Sequence, residues 1–598
     1  MNKVIEQVTK NIKLRSSQLR SEYLSRTRKQ ATLGKERAML ACGNLAHTVA
    51  SCGAGQKSTI LDFTRVNVGI ISAYNDMLSA HQPYQSYPDQ IKSALKNDGH
   101  SAQVAGGVPA MCDGVTQGQT GMDLSLFSRD LIAQATAIGL SHNTFDATLL
   151  LGVCDKIAPG QIMGSLAFGH IPAAFVPSGP MATGITNEEK VKVRQQYVAG
   201  EVDKKVLQSM ENKAYHSPGT CTFYGTANTN QLVFEAMGLM LPGSAFLAPD
   251  SELRYALTAT IAKQMVRIAH GSSDYRPIAE VIDERTLVNG LVALLASGGS
   301  TNHTIHMIAI ARSAGLILTW DDFDQLSKVV PSLTLMYPNG AADINAFQAA
   351  GGVPTLMKLL ADRDLLNMDA LPIYGTMTDY LKSPVLLDGR VEFVAAGDSL
   401  DAAVIAAPHQ EYSKQGGLKL VAGNLGRGVI KISAVAEEHR FIEAPAMIFE
   451  SQHDVETAYK AGLLNRDVIV VVRHNGPSAN GMPELHKLMP ILGNVMKSGF
   501  KTALVTDGRL SGASGKVPAA IHITPEALHG GPLSQLQDGD ILCLDANNGS
   551  LAVKADISKR ALFHPNLDHE HVGAGRELFA LFRNAVSSAE TGATIFNQ

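Results

Sequence analysis

A cysteine, an aspartate and a lysine stand side by side at residues 154–156, within the stretch "GVCDKIAPG". The apolar run "FDATLLL" before them predicts a buried strand, and a Pro-Gly pair follows them. In an open α/β sheet, ligands bind at the carboxyl ends of strands, so Cys154, Asp155 and Lys156 could form part of a functional site. An ordinary buried salt bridge between the lysine and an acid remains an equally simple interpretation at this point.

Two other cysteines have similar surroundings. Cys112 precedes Asp113 in "GGVPAMCDGVTQGQTGM", and Cys221 lies in "SPGTCTFYGTANTNQ", ahead of a predicted helix. Glycines in both loops would let the backbone approach a bulky inorganic group. Thiolates suit iron–sulfur clusters and carboxylates suit Mg²⁺ or Mn²⁺, so one pocket could hold both kinds of metal. The chain has no Cys-x-x-Cys pair, and a free cysteine is often only a small buried hydrophobe, so spacing alone leaves both interpretations open.

Two glycine-rich loops nearer the C-terminus carry further polar residues. "TDGRLSGASG" (506–515) follows the predicted strand "KTALV" and places Ser511 between glycines. A serine hydroxyl is a poor base or nucleophile and needs an activating partner. "RHNGPSANGMPELH" (473–486) follows another predicted strand and contains Glu484. Ordinary turn formation is the alternative interpretation of both loops.

The composition argues against several classes of protein. Six cysteines in 598 residues do not form a disulfide scaffold and favour a reducing, cytoplasmic location. A net charge of −4 gives no reason to expect nucleic acid or a membrane surface as a partner. No run approaches the roughly 18 apolar residues of a membrane span. The basic N-terminal segment is interrupted by Glu6 and Glu22, lacks the apolar core of a secretory signal and predicts a solvated helix or a subunit contact.

The order of the elements predicts an α/β protein with two domains. From about residue 65 to 180, apolar runs such as "VNVGIISAY" alternate with helix-like segments, which indicates a parallel sheet flanked by helices. After the turn-rich stretch 366–395, short β-branched strands separated by Gly and Asp turns indicate a β-rich, barrel-like domain. We therefore predict an N-terminal α/β domain over 1–390 that carries the cysteines, and a C-terminal β-barrel-like domain over 391–598 that carries Ser511.

Six blocks of sequence, taken in order, resemble the dihydroxy-acid/6-phosphogluconate dehydratase family. They are "CDKIAPGQIMGSL", "SGPMATG", "GTCTFYGTANTNQ", "ASGGSTNHTIHMIAIARSAG", "AAGGVPTLMKLL" and "TDGRLSGASGKVPAAIHITPEA". The resemblance spans roughly residues 65–560. Dihydroxy-acid dehydratases usually carry a cluster cysteine where this chain has Ala80. The stretches "YNDMLSAHQPY" and "GGVPAMCDGVTQGQTGM" are instead similar to the 6-phosphogluconate dehydratase branch.

The resemblance implies a role for each candidate residue. Cys154 and Cys221 would be ligands of an iron–sulfur cluster, and Cys112 would supply the thiolate that is missing at position 80. The cluster would be of the 4Fe-4S type, with 2Fe-2S as the alternative. Ser511 and Lys156 would be catalytic, with the serine as the base. A divalent cation, Mg²⁺ or Mn²⁺, would be associated with four positions, where the lysine is open to carbamylation: Asp113, Asp155, Lys156 and Glu484.

The resemblance also implies an activity. It indicates a hydro-lyase of gluconate and carbohydrate metabolism, in the Entner–Doudoroff pathway, that converts 6-phospho-D-gluconate to 2-dehydro-3-deoxy-6-phospho-D-gluconate and water. The cluster would act as a Lewis acid on the leaving hydroxyl, and a cation would stabilise charge developing near C2. The enzyme would be cytoplasmic and a homodimer or higher homo-oligomer. Basic residues must also hold the phosphate, and the candidates are Arg427, Arg473 and Arg509.

Other functions remain as alternatives from the sequence. Within the family, the substrate could be a branched dihydroxy acid or a sugar acid without phosphate. In a different class, the cysteines could hold an iron–sulfur cluster for electron transfer or redox sensing, which would not need Ser511. They could also simply be packed in the core, with no cluster.

Overall fold

The structure is a computed structural model of the chain, and it describes residues 1–512, 514–567 and 571–596. Within this part, the N-terminal region holds a sheet whose strands run in the spatial order β2-β1-β3-β4. All neighbouring strands in it are parallel. The strands are β1 (Asn67–Ser72), β2 (Ser101–Gly107), β3 (Ala147–Leu151) and β4 (Ala173–Phe175).

The N-terminal region also contains many helices. They are α1 (Lys3–Ala31), α2 (Glu36–Met39), α3 (Cys42–Ala50), α4 (Ala54–Leu61), α5 (Tyr87–Asn97), α6 (Asp113–Thr116), α7 (Ser125–Leu140), α8 (Ile157–Leu166), α9 (Asn187–Val198), α10 (Lys204–Ala214), α11 (Thr226–Ala236), α12 (Glu252–Ile268), α13 (Ile278–Val281), α14 (Glu284–Ala296), α15 (His303–Ser313), α16 (Trp320–Ser327), α17 (Ile344–Ala349) and α18 (Gly352–Ala361). Helices α5 and α12 pack together against the sheet, as do α7 and α8. Strands β1 and β3 are buried along their whole length, which explains their mainly apolar sequences.

The long first helix is less solvated than its sequence predicts. The helical spacing is correct, but Ile5, Val8 and Ile12 are completely buried. They form an apolar stripe, and α1 packs against α14 and α16. No helix in the described residues is long and apolar enough to cross a membrane.

The C-terminal region forms a closed barrel, which confirms the predicted fold class. Among the described residues, its strands follow one another in the order β10-β11-β12-β8-β7-β14-β13-β9. They are β7 (Leu418–Gly423), β8 (Gly426–Lys431), β9 (Phe441–Phe449), β10 (Val468–Val472), β11 (Thr502–Thr506), β12 (Ala519–Thr524), β13 (Ile541–Asp545) and β14 (Ser550–Val553). Strands β9 to β12 pair in parallel, whereas β12–β8–β7 and β9–β13–β14 pair antiparallel. A separate apolar cluster that includes Ile469, Val505 and Leu542 forms a second core there.

The sheet region and the barrel meet in two places: at a hairpin between them in sequence, and at the C-terminal segment. The predicted boundary at residue 390 falls inside an antiparallel hairpin of β5 (Lys382–Leu387) and β6 (Arg390–Ala395). The last described residues return to α7, where the Arg129 guanidinium donates to the carbonyls of Gly592 and Ala593. The barrel region also carries α19 (Gln452–Lys460), α20 (Pro477–Asn480), α21 (Leu488–Lys497) and α22 (Ala580–Ala585).

Candidate active site

Each of the three candidate cysteines lies in a loop that leads into a helix. Cys154 follows the carboxyl end of β3, and Cys112 directly precedes α6. Cys221 lies just before α11. The backbone of Cys154 is left-handed, with φ of 68°, which is uncommon for a residue other than glycine. Asn230 stabilises this turn because its side-chain amide donates to the carbonyl oxygens of Cys154, at 2.9 Å, and Asp155, at 3.2 Å.

The structure brings the three thiols together. A hydrogen bond between the side chains of Cys112 and Cys154 lowers the pKa of Cys112 and raises that of Cys154. Burial raises the pKa of Cys221 to about 12, and the nearby charge of Cys112 adds to this rise. The charge of Cys221 in turn contributes to the raised pKa of Cys154. Without a metal, Cys154 and Cys221 are therefore protonated thiols at neutral pH. A metal that bound here would have to displace their protons.

The three sulfur atoms fit an iron–sulfur cluster. They are soft donors from segments far apart in sequence, and they meet in a largely buried position beside the carboxyl end of a parallel strand. The remaining cysteines, Cys42, Cys52 and Cys543, lie in other elements or loops.

Three carboxylates form a second cluster. One oxygen from each of Asp113, Asp155 and Glu484 lies within 4.8 Å of the others. Asp113 and Asp155 directly follow Cys112 and Cys154, so each loop contributes one sulfur and one oxygen donor. Glu484 comes from the segment between α20 and α21. Oxygen donors at this spacing suit a hard divalent cation.

Two buried cations neutralise most of this negative charge. The Lys156 Nζ lies 2.5 Å from Asp113 Oδ2 and 3.0 Å from Asp155 Oδ2. The Arg509 guanidinium lies 2.9 Å from Asp113 Oδ2 and 3.2 Å from Glu484 Oε2. Both cationic side chains are only 1% exposed. Arg509 thereby links the barrel to the loop that follows β2.

The carboxylates differ in their protonation. Burial alone would raise the pKa of Asp113, but Lys156 and Arg509 hold it well below its usual range. Burial raises the pKa of Glu484 to about 7, because Arg509 only partly offsets the loss of solvent. Burial likewise raises the pKa of Asp155. With no metal present, the triad can hold a proton near neutral pH.

Two residues that sequence reasoning missed support the triad. The Gln117 amide donates to Glu484 Oε1 at 2.8 Å, and the Ser125 hydroxyl donates to Asp113 Oδ1 at 2.5 Å. Gln117 follows Asp113 by four residues, a spacing that places two side chains on the same face of a helical turn. That spacing is visible in the sequence, whereas the contact of Ser125 depends on how α7 begins.

Ser511 lies two residues after Arg509, in the loop between β11 and β12. The next residue, Gly512, is so close to the start of α11 that a Cβ there would meet Thr226 Oγ1 at 2.7 Å and Ser300 Oγ at 2.4 Å. The serine loop is therefore packed against the helix that follows Cys221. In sequence, Ser511 therefore lies between Arg509, which pairs with the three carboxylates, and Gly512, which packs against the start of α11.

The arginines considered for phosphate binding all have protein partners. Arg427 pairs with Asp321 at 2.7 Å and with Glu590 at 3.0 Å. Arg473 pairs with Glu450 and donates to backbone carbonyls near residue 534. Arg509 belongs to the acidic cluster described above.

Comparison with known proteins identifies the family of the chain. The family models described as "Dihydroxy-acid/6-phosphogluconate dehydratase N-terminal" and "C-terminal" match residues 65–380 and 403–593. The phosphogluconate dehydratase of Escherichia coli K12 is 55% identical over 599 residues, which covers 99% of each chain. That of Pseudomonas aeruginosa is 54% identical over 100% of this chain and 99% of the relative. A dihydroxy-acid dehydratase of Ignicoccus hospitalis is 30% identical over 83% of this chain and 88% of its own. This chain therefore belongs to the dihydroxy-acid/6-phosphogluconate dehydratase family.

Proposed function

We propose that this chain is a hydro-lyase that removes water from 6-phospho-D-gluconate to give 2-dehydro-3-deoxy-6-phospho-D-gluconate. The observation that carries the proposal is the meeting of three thiols and three carboxylates in two adjacent clusters. The choice of substrate rests on the full-length identity with phosphogluconate dehydratases, which exceeds that with the dihydroxy-acid dehydratase.

The reaction separates two groups from neighbouring carbons. A proton leaves C2, hydroxide leaves C3, and together they form the water that is lost. The resulting enol becomes the 2-keto product. Hydroxide is a poor leaving group and the C2 proton is weakly acidic, so the site must assist at both positions.

The residues present fit an iron–sulfur cluster, which we propose to be of the 4Fe-4S type and held by Cys112, Cys154 and Cys221. When bound, such a group supplies a Lewis acid that polarises the C3 hydroxyl. The chain contributes three sulfur ligands and keeps them in a water-poor environment.

The acidic triad fits a divalent cation, Mg²⁺ or Mn²⁺, with Asp113, Asp155 and Glu484 as oxygen donors. An ammonium group has no free electron pair, so Lys156 could join these ligands only as a carbamate. Carbamylation would replace a positive charge by a negative one, which would balance the charge of the incoming cation. As an ammonium, Lys156 instead orients both aspartates.

We propose Ser511 as the base that removes the C2 proton. Its loop is placed by Arg509 on one side and by the start of α11 on the other, so its backbone position is fixed relative to both clusters. A serine needs help to lose its own proton, and nearby positive charge favours the alkoxide.

Anaerobic turnover of three substrates tests the proposal. The expected result is rapid turnover of 6-phosphogluconate, with gluconate and 2,3-dihydroxyisovalerate far slower. Turnover of only the branched acid would assign the chain to the other branch. Reversible one-electron cycling without any turnover would favour an electron-transfer protein.

We also propose that the protein works in the reducing cytoplasm as a homodimer or higher homo-oligomer. Its six cysteines are all free in the structure, and a reducing compartment would preserve the cluster thiolates. Leu578 and Leu581 are each 78% exposed and close together, as expected for side chains that a second subunit covers. Light scattering after size-exclusion chromatography tests this assembly, and a monomer at micromolar concentration would contradict it.

A further inference from the structure

Lys431 is a buried cation that the proposed mechanism has not used. It is the last residue of β8, and it is only 5% exposed. No carboxylate within residues 1–512, 514–567 and 571–596 forms an ion pair with its amine. Its hydrogen bond goes to the carbonyl oxygen of Gly512, at 3.5 Å, and Gly512 directly follows Ser511.

A small cavity surrounds the amine. Half of its lining residues belong to the loop that carries Ser511, among them Leu510, Ser514 and Val517, and Thr301 lines it from the sheet region. The free volume is about 10 Å³, which is near the lower limit for one water molecule. The cavity is therefore too small for a sugar phosphate and has room for about one water molecule beside Lys431.

The ionisable groups on the neighbouring elements do not neutralise this amine. Burial lowers the pKa of His522 on β12 and of His303 at the start of α15 to about 3, so both rings are uncharged at neutral pH. Lys419 on β7 contacts the carbonyl of Asn547 at the surface, and Lys516 in the serine loop is exposed.

An ammonium without a counter-ion is unstable in such a place. Burial accordingly lowers the pKa of Lys431 to about 7, so that a large share of the amine is neutral at physiological pH. A neutral amine has a free electron pair and accepts a proton.

We propose that Lys431 is the positioning residue that takes the hydroxyl proton of Ser511. In this step the Oγ–H bond of the serine breaks, directly or through one water, and an N–H bond forms at the lysine Nζ. The serine becomes an alkoxide and the lysine an ammonium, so charge is conserved. The alkoxide then removes the C2 proton, which regenerates the hydroxyl. The lysine ammonium releases its proton to the departing hydroxide or to solvent, so each turnover loses one water and leaves the amine neutral again. Because the role requires Ser511 to be the base, it rests on the proposed function.

The pH dependence of kcat/KM tests this role in the iron-loaded enzyme. For the wild type, kcat/KM should rise about tenfold per pH unit below about pH 7 and then level off. In Lys431→Met, kcat should fall by about 10²- to 10⁴-fold, with KM changed less than about threefold and the rise near pH 7 lost. Lys431→Arg should be equally impaired, because a guanidinium stays protonated. Lys419→Met, a lysine of the same hairpin, should behave like the wild type.

Several outcomes would overturn the role. Recovery of activity in Lys431→Arg, or an unchanged pH profile in Lys431→Met, would show that the lysine only fills space or supplies charge. Loss of iron in both variants would assign it a structural role instead. One pattern would overturn this inference alone: the wild type turns over 6-phosphogluconate, Ser511→Ala is inactive, and Lys431→Met is fully active. A wild type without turnover would overturn the proposed function, and this role with it.

Discussion

Replacing Arg509 by methionine should destabilise the contact between the barrel and the sheet region. The arginine side chain is 1% exposed and bonds Asp113 and Glu484. Methionine would leave three buried carboxylates with only Lys156 as counter-ion. Removing one partner of a buried ion pair costs about 3–5 kcal/mol, because the remaining charge stays buried without compensation.

The size of this loss should depend on pH. Burial raises the pKa of Glu484, and Arg509 lowers it, so that the resulting value is about 7. Without the arginine, the folded variant takes up additional protons, and each extra bound proton makes stability fall by about 1.4 kcal/mol per pH unit relative to the wild type. The variant should therefore be closer to the wild type at pH 6 than at pH 8.5.

Urea unfolding after removal of metals by a chelator measures this effect. Trp320, the single tryptophan, is 1% exposed and its fluorescence reports on the N-terminal core. Arg509→Lys is the matched control, because it keeps the charge but loses the fork that bonds two acids; it should lose about half as much. A loss under about 1 kcal/mol for Arg509→Met, or the same loss at both pH values, would refute this account of the cluster.

Three further predictions concern single residues. Ser511→Ala should keep its iron and its stability and lose dehydration by about 10²- to 10⁴-fold; an active variant in steady-state assays would remove the serine from the mechanism. Glu484→Gln should weaken Mn²⁺ binding by at least about tenfold, as measured by electron paramagnetic resonance. Glu456→Gln, at a partly exposed ion pair, should leave it unchanged. Equal affinities would exclude Glu484 as a ligand. The Lys431 pKa falls from 10.5 unfolded to about 7 folded, so wild-type stability rises with pH between these values. Lys431→Met should therefore raise the melting temperature, with a gain in stability of about 5 kcal/mol at pH 6 and less at pH 9. A lower melting temperature at pH 6 would show that the amine is not destabilising when charged.

The sequence predicted the fold class because the relevant signals are local. The run "FDATLLL" is mostly apolar because β3 within it is buried along its whole length. The short C-terminal strands alternate with Gly and Asp turns, as expected of a barrel. The position of Cys154 at a strand end followed from the same pattern. Its grouping with Cys112 and Cys221 came from the resemblance of their motifs to the dehydratase family and not from the spacing of the three cysteines.

The remaining parts of the site depend on contacts between distant segments. Arg509 and Asp113 are 396 positions apart, so the arginine could not be distinguished from a phosphate ligand by its neighbours in sequence. Lys431 continues the buried face of β8, but a lysine in a strand ordinarily reaches solvent. The Thr594 hydroxyl donates a hydrogen bond to Asp130 of α7, 464 positions away, and no local sequence pattern predicts this contact.

Anaerobic iron and acid-labile sulfide analysis tests the central claim most directly, namely that Cys112, Cys154 and Cys221 together hold a cluster. An active wild-type sample should contain about four iron and four sulfide per chain for a 4Fe-4S cluster. Replacing any one of these cysteines by alanine should sharply reduce both contents together with turnover, whereas Cys543→Ala should reduce neither. An active, iron-free wild type, or undiminished iron after loss of all three thiols, would contradict the account.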